Sequence, residues 1–499
     1  AAAAMELHSH EITCVVEHVP LTNPDNSVSS SAIWLSPSYI LAPGCLLGYS
    51  TDFSTVIGSS DEVNAIKGSF HLMASAENQS IHKHQLELVT HWQCSMLADT
   101  IDTLFSPSNL AQCSSRESES KVNHGFLSLF LLLRIVKGSF YHYSLQQLDK
   151  RIDQLDVGDA VMICSTPFGS THVSAFENSW STGIVSSCIN ISSGTFLCDA
   201  SCIPGSQGGL VFNKLSMSPT AVVIHPVVWK NNECTGLSLI ASLQAILKSL
   251  QDHISLTDLS LTEQITTLSS CDTVPPTPQP RTNSTERLVR VKSNGAWGSG
   301  IILSQCFVLT CAHVVKGSNS HRITVTLPDG KVIPCVIIYA STIDKKFDVA
   351  VLQLNEILQE TPIIGSPPAV HIGDRVTSHG YGIFEKGTGG VMTMGTVAKV
   401  HAYNNKAFSL VITSRVSCGS SGGTVTNSSG EIVGMIIANT YDATNDISYS
   451  ELSFGLSLEL IYDAIENLCV TLSTEKFRML ERKVKNWQDC DGISLKAKL

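Results

Sequence analysis

The sequence predicts an all-β protein built from two tandem copies of one strand-rich unit. Three observations predict it. Apolar runs are short and end in small or polar turn residues, as at Phe408–Thr413 and around Glu431–Ala438, which is strand rather than helix patterning. A polar, Pro-rich run, Val274-Pro275-Pro276-Thr277-Pro278-Gln279-Pro280, divides the chain near its middle and reads as a linker. The two halves also match in register. Tyr39-Ile40-Leu41-Ala42 lies against Phe307-Val308-Leu309-Thr310, and Val157-Gly158-Asp159 against Ile372-Gly373-Asp374. Thr182-Gly183-Ile184-Val185 lies against Met394-Gly395-Thr396-Val397, and Gly205-Ser206-Gln207-Gly208-Gly209 against Gly419-Ser420-Ser421-Gly422-Gly423. Gly236-Leu237-Ser238-Leu239 matches Gly455-Leu456-Ser457-Leu458. The spacing from Gly158 to Gly205 differs by a single residue from that between Gly373 and Gly419.

Length and composition set the limits. A chain of 499 residues needs two or three domains, and 43% hydrophobic residues allow large cores. A net charge of −11 gives no reason to expect nucleic acid or an anionic membrane as partner. No apolar run is long enough for a membrane-spanning helix. The start of the sequence has no basic stretch followed by an apolar one, so no secretory signal is expected there. The 16 cysteines form no CxxC pair and no zinc-type cluster, so they are read as reduced thiols, and no metal or cofactor is expected.

In chain order, residues 1–268 form the first unit. An excess of polar sequence at about 60–125 reads as an exposed loop insertion. The apolar run Phe126–Val136 is interrupted only by Arg134 and reads as a buried strand. Residues 269–286 are the linker and 287–474 the second unit. Ser457 suits a helix N-cap, and Leu458, Ile461, Ile465 and Leu468 recur at helical spacing, so a closing helix is expected. Residues 475–499 read as a charged helix or tail.

The chemistry concentrates in the second unit. Cys418-Gly419-Ser420-Ser421-Gly422-Gly423 is a small-residue turn between two strands. Such a turn can lift one hydroxyl out of the sheet and aim neighbouring amides at one point, as acyl transfer requires. By itself it is only a turn. Upstream, His313 stands where the strand Phe307–Thr310 ends, and Asp348 opens the apolar run that continues to Leu354. The three motifs fall in the order His, Asp, Ser. Ser420 is a rival nucleophile and Asp344 a rival acid. Ser421 is preferred because Gly422-Gly423 follow it and Gly419 stands two residues before it.

On these residues, Arg287 to about Leu468 resembles the trypsin-fold serine proteases, more narrowly their Htr/Deg branch. The resemblance implies tandem double β-barrel units, the second catalytic. It also implies a catalytic triad of His313, Asp348 and Ser421, and an oxyanion hole made by the N–H groups of Gly419 and Ser421. The first unit is then degenerate: Gln207 stands in register with Ser421, Cys45 with His313 and roughly Ser128 with Asp348. It is either a copy kept for packing or a binding module. A non-catalytic scaffold is the alternative for the whole chain, although it has no need of all three motifs.

Specificity is expected to be apolar. Arg415 stands six positions before Ser421, where trypsin-like specificity needs a carboxylate. The strand carrying Ile436, Ile437 and Ala438 would line the pocket with apolar side chains. The chain ends Ala497-Lys498-Leu499, a variant of the peroxisomal address. With this ending, the whole chain resembles the peroxisomal processing proteases that carry a trypsin domain. That resemblance implies removal of targeting presequences after or near Cys, self-cleavage and self-association. It points to Cys113-Ser114 as a self-cleavage candidate, to peroxisomal proteins as substrates, and to an import receptor that binds the terminal tripeptide.

Overall fold

The computed structural model describes residues 12–21, 24–47, 66, 68–75, 81–106, 124–136, 144–145, 152–171, 173–229, 233–254, 286–317, 323–342, 347–359, 363–384, 389–442 and 447–485. The chain divides into two compact units, the first mainly residues 1–277 and the second mainly 278–499.

The first unit holds two closed six-stranded antiparallel barrels. One contains β1 (Thr13–Pro20), β2 (Val28–Ser36), β3 (Tyr39–Pro43), β4 (Gly68–Ser75), β5 (Ile81–Gln93) and β6 (Leu129–Ile135), in the spatial order β1-β2-β3-β6-β5-β4. The other contains β7 (Ala160–Ser165), β8 (Ser179–Asn190), β9 (Thr195–Cys198), β10 (Leu210–Asn213), β11 (Pro219–Trp229) and β12 (Glu233–Ser242), in the order β10-β11-β12-β9-β8-β7. Helix α1 (Ser95–Leu104) lies between β5 and β6, α2 (Val173–Phe176) between β7 and β8, and α3 (Leu243–His253) follows β12.

The second unit repeats this order. β13 (Leu288–Ser293), β14 (Ala296–Ile302), β15 (Phe307–Thr310), β16 (Ile323–Thr326), β17 (Val332–Ala340) and β18 (Ala350–Leu354) close one barrel. β19 (Arg375–Gly380), β20 (Val391–Tyr403), β21 (Lys406–Ile412), β22 (Thr424–Asn427), β23 (Ile432–Asp442) and β24 (Ile447–Ser457) close the other. Closure leaves no free sheet edge. Local chemistry sets the hairpins: Asn294-Gly295 and Asn404-Asn405 all have positive φ, as two-residue turns of matching twist require.

Helix α4 (Ala312–Val315) is a single turn, and α5 (Leu458–Thr471) closes the second barrel. Ser457 Oγ accepts from Glu459 N at 3.2 Å, which caps α5. Leu458, Ile461, Ile465 and Leu468 are fully buried, each worth roughly 1.5–3 kcal/mol of apolar burial.

Two expectations need correction, and one alternative is resolved. The polar stretch at 60–125 is not one loop: it contains β4, β5 and α1. Its strands escaped notice because β5 is polar and largely half-exposed, so it lacks the apolar alternation of a core strand. The run Phe126–Val136 is a strand only from Leu129, after a 3-10 turn at His124–Ser128, and Arg134 points outward to pair with Glu87 at 2.7 Å. Finally, of the two readings of the stretch after 475, the helix is the one the structure shows, and it is not wholly polar in its packing. In α6 (Glu475–Lys485) Phe477 and Val484 are fully buried in the second unit's core. No helix among the described residues is long and apolar enough to cross a membrane.

Candidate active site

β15 pairs with β18 so that Thr310 faces Ala350. One turn beyond Thr310 lies His313, and just before Ala350 lies Asp348, so the ladder register brings the two side chains together. Asp348 clamps His313 twice. Its Oδ1 accepts the backbone N–H of His313 at 3.0 Å, and its Oδ2 is in a short contact with Nδ1. Both side chains are nearly buried, at 11% and 5% exposure. A carboxylate only accepts, so Nδ1 is the donor nitrogen and Nε2 is left to accept. Nε2 is buried and has no hydrogen-bond partner among the described residues.

The turn after β21 is held by its backbone. Ser420 N donates to Ser417 O at 3.0 Å, Gly423 N to Ser420 O at 2.9 Å, and Gly422 N to Ile436 O at 2.8 Å. Gly419 has φ +90° and Gly422 φ +88°, which only glycine adopts without strain. Gly422 also leaves no room: a Cβ there would lie 2.1 Å from the Ser299 carbonyl and 2.6 Å from Thr310 Oγ1. These contacts seat the turn against the segment that carries His313. Ser420 is buried and Ser421 half-buried, so of the two hydroxyls Ser421 is the accessible one. Its Oγ donates to Ile437 O at 2.9 Å. The N–H groups of Gly419 and Ser421 make no hydrogen bond among the described residues.

Ser299, which sequence reading missed, ties this turn down. Its hydroxyl donates to Gly419 O at 2.8 Å and accepts from Tyr381 N at 2.8 Å, and its own N–H donates to Ser421 O at 2.8 Å. A signal was present in the repeat: Ser31 and Ser299 stand equally far before Tyr39 and Phe307.

Cys311, His313 and Asp348 place donor atoms within 4.8 Å of one another, a spacing that could hold a metal ion. The chemistry of the set argues against that use. Burial, reinforced by nearby Asp348, pushes the Cys311 thiol well up and keeps it protonated, and its Sγ donates to Ile436 O at 3.3 Å. The His313–Asp348 contact leaves no gap for an ion between them. In the floor of the adjoining barrel, burial pulls His379 down to about 4, against a weaker opposing hydrogen bond with the Gly390 backbone.

Of the expected pocket residues, Ile436 packs into the barrel core with Val376, Val397 and Leu410, so its side chain does not form an open wall. Strand alternation across a bulge puts Ile437 and Ala438 into the neighbouring cluster instead. Arg415 is half-buried, and its carbonyl accepts from Thr393 Oγ1 at 2.6 Å. Cys113, Ser114, Asp344, Ala497, Lys498 and Leu499 lie outside the described residues.

The first unit builds the same turn without the nucleophile. Gly205 and Gly208 have φ +93° and +79°. Ser206 N, Gly208 N and Gly209 N donate to Ile203, Val223 and Ser206, matching the bonds around Ser421. The counterpart of the Gly419 amide, Gly205 N, donates to Gln207 Oε1 at 2.9 Å. The remnant of the oxyanion hole is therefore filled by the side chain that replaces the nucleophile. Cys45 lies on the turn Gly44–Leu47, as His313 lies on α4. Ala42 pairs with Leu131 as Thr310 pairs with Ala350, so the counterpart of Asp348 is Leu129, one residue from the expected Ser128. The first unit thus has no carboxylate in this place.

Two antiparallel barrels, a buried His–Asp pair and a glycine-held serine turn define a trypsin-like serine peptidase domain. Residues 298–435 match the family described as "Trypsin-like peptidase domain". Over about two thirds to three quarters of its length, the chain is similar to two proteins named "Peroxisomal leader peptide-processing protease". It is 29% identical to the one from Homo sapiens over 65% of this chain and 58% of that protein. It is 26% identical to the one from Mus musculus over 75% of this chain and 67% of that protein. Over 34% of this chain and 48% of the relative, it is 29% identical to "Serine endoprotease DegS" of Salmonella typhimurium.

Proposed function

We propose that this chain is a serine endopeptidase whose second unit performs the chemistry. The observation that carries the reading is His313, locked by Asp348 at Nδ1 with Nε2 unoccupied, beside an accessible Ser421 on a glycine-held turn. The proposed reaction requires the Ser421 hydroxyl, which donates to Ile437 O at 2.9 Å, to turn to His313 Nε2. Nε2 then removes the proton as Oγ attacks the scissile carbonyl. The amides of Gly419 and Ser421 stabilise the oxyanion, and the imidazolium returns its proton to the leaving amine. Asp348 fixes the tautomer throughout.

The names of the relatives support a peroxisomal matrix enzyme that removes N-terminal targeting presequences from imported proteins. Arg415 in place of a carboxylate supports cutting after a residue other than Lys or Arg, with Cys as the specific candidate. Cys113-Ser114 is the proposed self-cleavage site, and self-association is proposed with it.

The test compares wild type with Ser421→Ala on a peptide containing an internal Cys-Ala bond. The expected result is cleavage by wild type alone, leaving Cys at the new carboxyl terminus. Cleavage after Lys or Arg overturns the pocket assignment and leaves the triad standing. A wild-type protein that neither cuts nor reacts with a fluorophosphonate at Ser421 overturns the enzyme reading in favour of a scaffold.

A further inference from the structure

We propose that Ser299 is a positioning residue for the reaction: it sets the direction of the two oxyanion-hole amides by clamping the peptide between them. This rests on the endopeptidase reading above. Three successive peptide groups matter. The first carries Gly419 N–H and the third carries Ser421 N–H, the two groups that face the developing oxyanion. The middle one, between Gly419 and Ser420, faces away and is gripped from both sides. Its N–H donates to Ser417 O at 3.0 Å, and its carbonyl accepts the Ser299 hydroxyl at 2.8 Å. With the middle plane fixed, each neighbouring plane can reorient only through the φ and ψ of the single residue that joins it, so the clamp limits how far either amide can swing.

Ser299 is suited to this by its own restraint. It is fully buried. Its hydroxyl donates to Gly419 O, so the proton is committed, and it accepts from Tyr381 N in the Gly380-Tyr381-Gly382 loop. Its backbone N–H holds Ser421 O at 2.8 Å, on the far side of the nucleophile. One residue thus joins three parts of the site that lie far apart in sequence. Without the hydroxyl, Tyr381 N–H is left buried without that acceptor, the half-buried Gly419 O loses its donor, and the middle peptide is free to turn toward another donor. Turning it swings the flanking amides off the oxyanion.

The first unit supplies an internal control. Ser31 is equally buried, its hydroxyl donates to Gly205 O at 2.8 Å, and it accepts from Thr166 N at 2.8 Å. The two hydroxyl bonds are the same, although Ser31 N–H also donates to Gly205 O at 3.1 Å where Ser299 N–H holds Ser421 O, and the turn carries Gln207 in place of a nucleophile. Ser31→Ala and Ser299→Ala therefore remove the same two hydrogen bonds, and only the second touches the proposed reaction.

The experiment measures kcat and KM on the Cys-Ala peptide and the melting temperature for wild type, Ser31→Ala, Ser299→Ala and Ser299→Cys, with crystal structures of the two Ser299 variants. Ser299→Ala is expected to lower kcat by roughly 10²-fold, the effect of losing one oxyanion donor, with KM within about threefold. Ser299→Cys, which keeps a weak donor, should fall between the two. Ser31→Ala should lower the melting temperature and leave kcat unchanged. The proposal is overturned if Ser299→Ala keeps kcat within about threefold of wild type, or if Ser31→Ala lowers kcat equally. It is also overturned if the Gly419 and Ser421 amides are undisplaced in the Ser299→Ala structure. That last readout needs no turnover, so it decides the proposal even where wild type is inactive and the endopeptidase reading has failed. If Ser299→Ala does not fold, the Ser299→Cys kinetics and structure decide by the same criteria.

Discussion

Phe477→Ala is expected to destabilise the second unit by about 3–5 kcal/mol, the range for removing a buried aromatic ring. Phe477 is fully buried, and its ring stacks on Tyr339 at 5.3 Å with the planes 29° apart. An isolated eleven-residue helix is marginal in water, so α6 depends on such contacts rather than on its own propensity. Glu481 adds a polar anchor on the same helix. It accepts from Tyr339 Oη at 2.8 Å and from Thr342 N and Oγ1 at 2.6 and 2.7 Å. The Thr342 contacts are exposed, so water can replace them, and Glu481→Ala should cost only about 1–2 kcal/mol. The anchored turn matters to the site because Ser341 N donates to Val349 O and Val349 N to Ser341 Oγ, beside Asp348. The assay is pulse proteolysis in urea, with fragments assigned to each unit by mass, followed by steady-state activity. A loss below about 1 kcal/mol for Phe477→Ala would show that α6 does not contribute to the second unit's core.

Two further outcomes follow from the same structure. His379 is held neutral, with its folded value near 4 against an ordinary 6.5, so the unfolded chain binds the extra proton as pH falls. Stability should be intact above pH 6.5 and decline between 6.5 and about 4, by about 3 kcal/mol, then level off. His379→Gln should flatten that limb in urea melts recorded across pH, and an unchanged slope would refute the assignment. Gly422→Ala should abolish fluorophosphonate labelling and cost at least about 2 kcal/mol, since it adds a clash with the Ser299 carbonyl to the strain of positive φ. Gly373→Ala, at φ +90° with open space around it, should show the strain alone and keep the label.

Much of the site was legible because its requirements are local. A nucleophile turn needs glycine where φ is positive, and those glycines stand beside Ser421 in the chain. His313 and Asp348 end and begin short apolar strands whose pattern marks them as buried. Closed barrels follow from repeated short strands and turns. By contrast, the polar alternation of β5 resembles a loop, and the charge on α6 hides Phe477 and Val484. Pattern reading weighs the average character of a segment, whereas burial is decided by the few side chains that meet the core.

By itself the sequence determined the repeat, the order of the three motifs and the turn chemistry that makes Ser421 a better candidate than a turn serine. Tertiary structure decided the rest. Only the ladder register shows that Leu129, not Ser128, stands where Asp348 does. Only the folded turn shows Gln207 filling the remnant hole, and Ser299 reaching Gly419 across 120 residues of chain. Hydrogen bonds between distant segments leave no periodicity in either partner, so a sequence records the residues without recording that they meet.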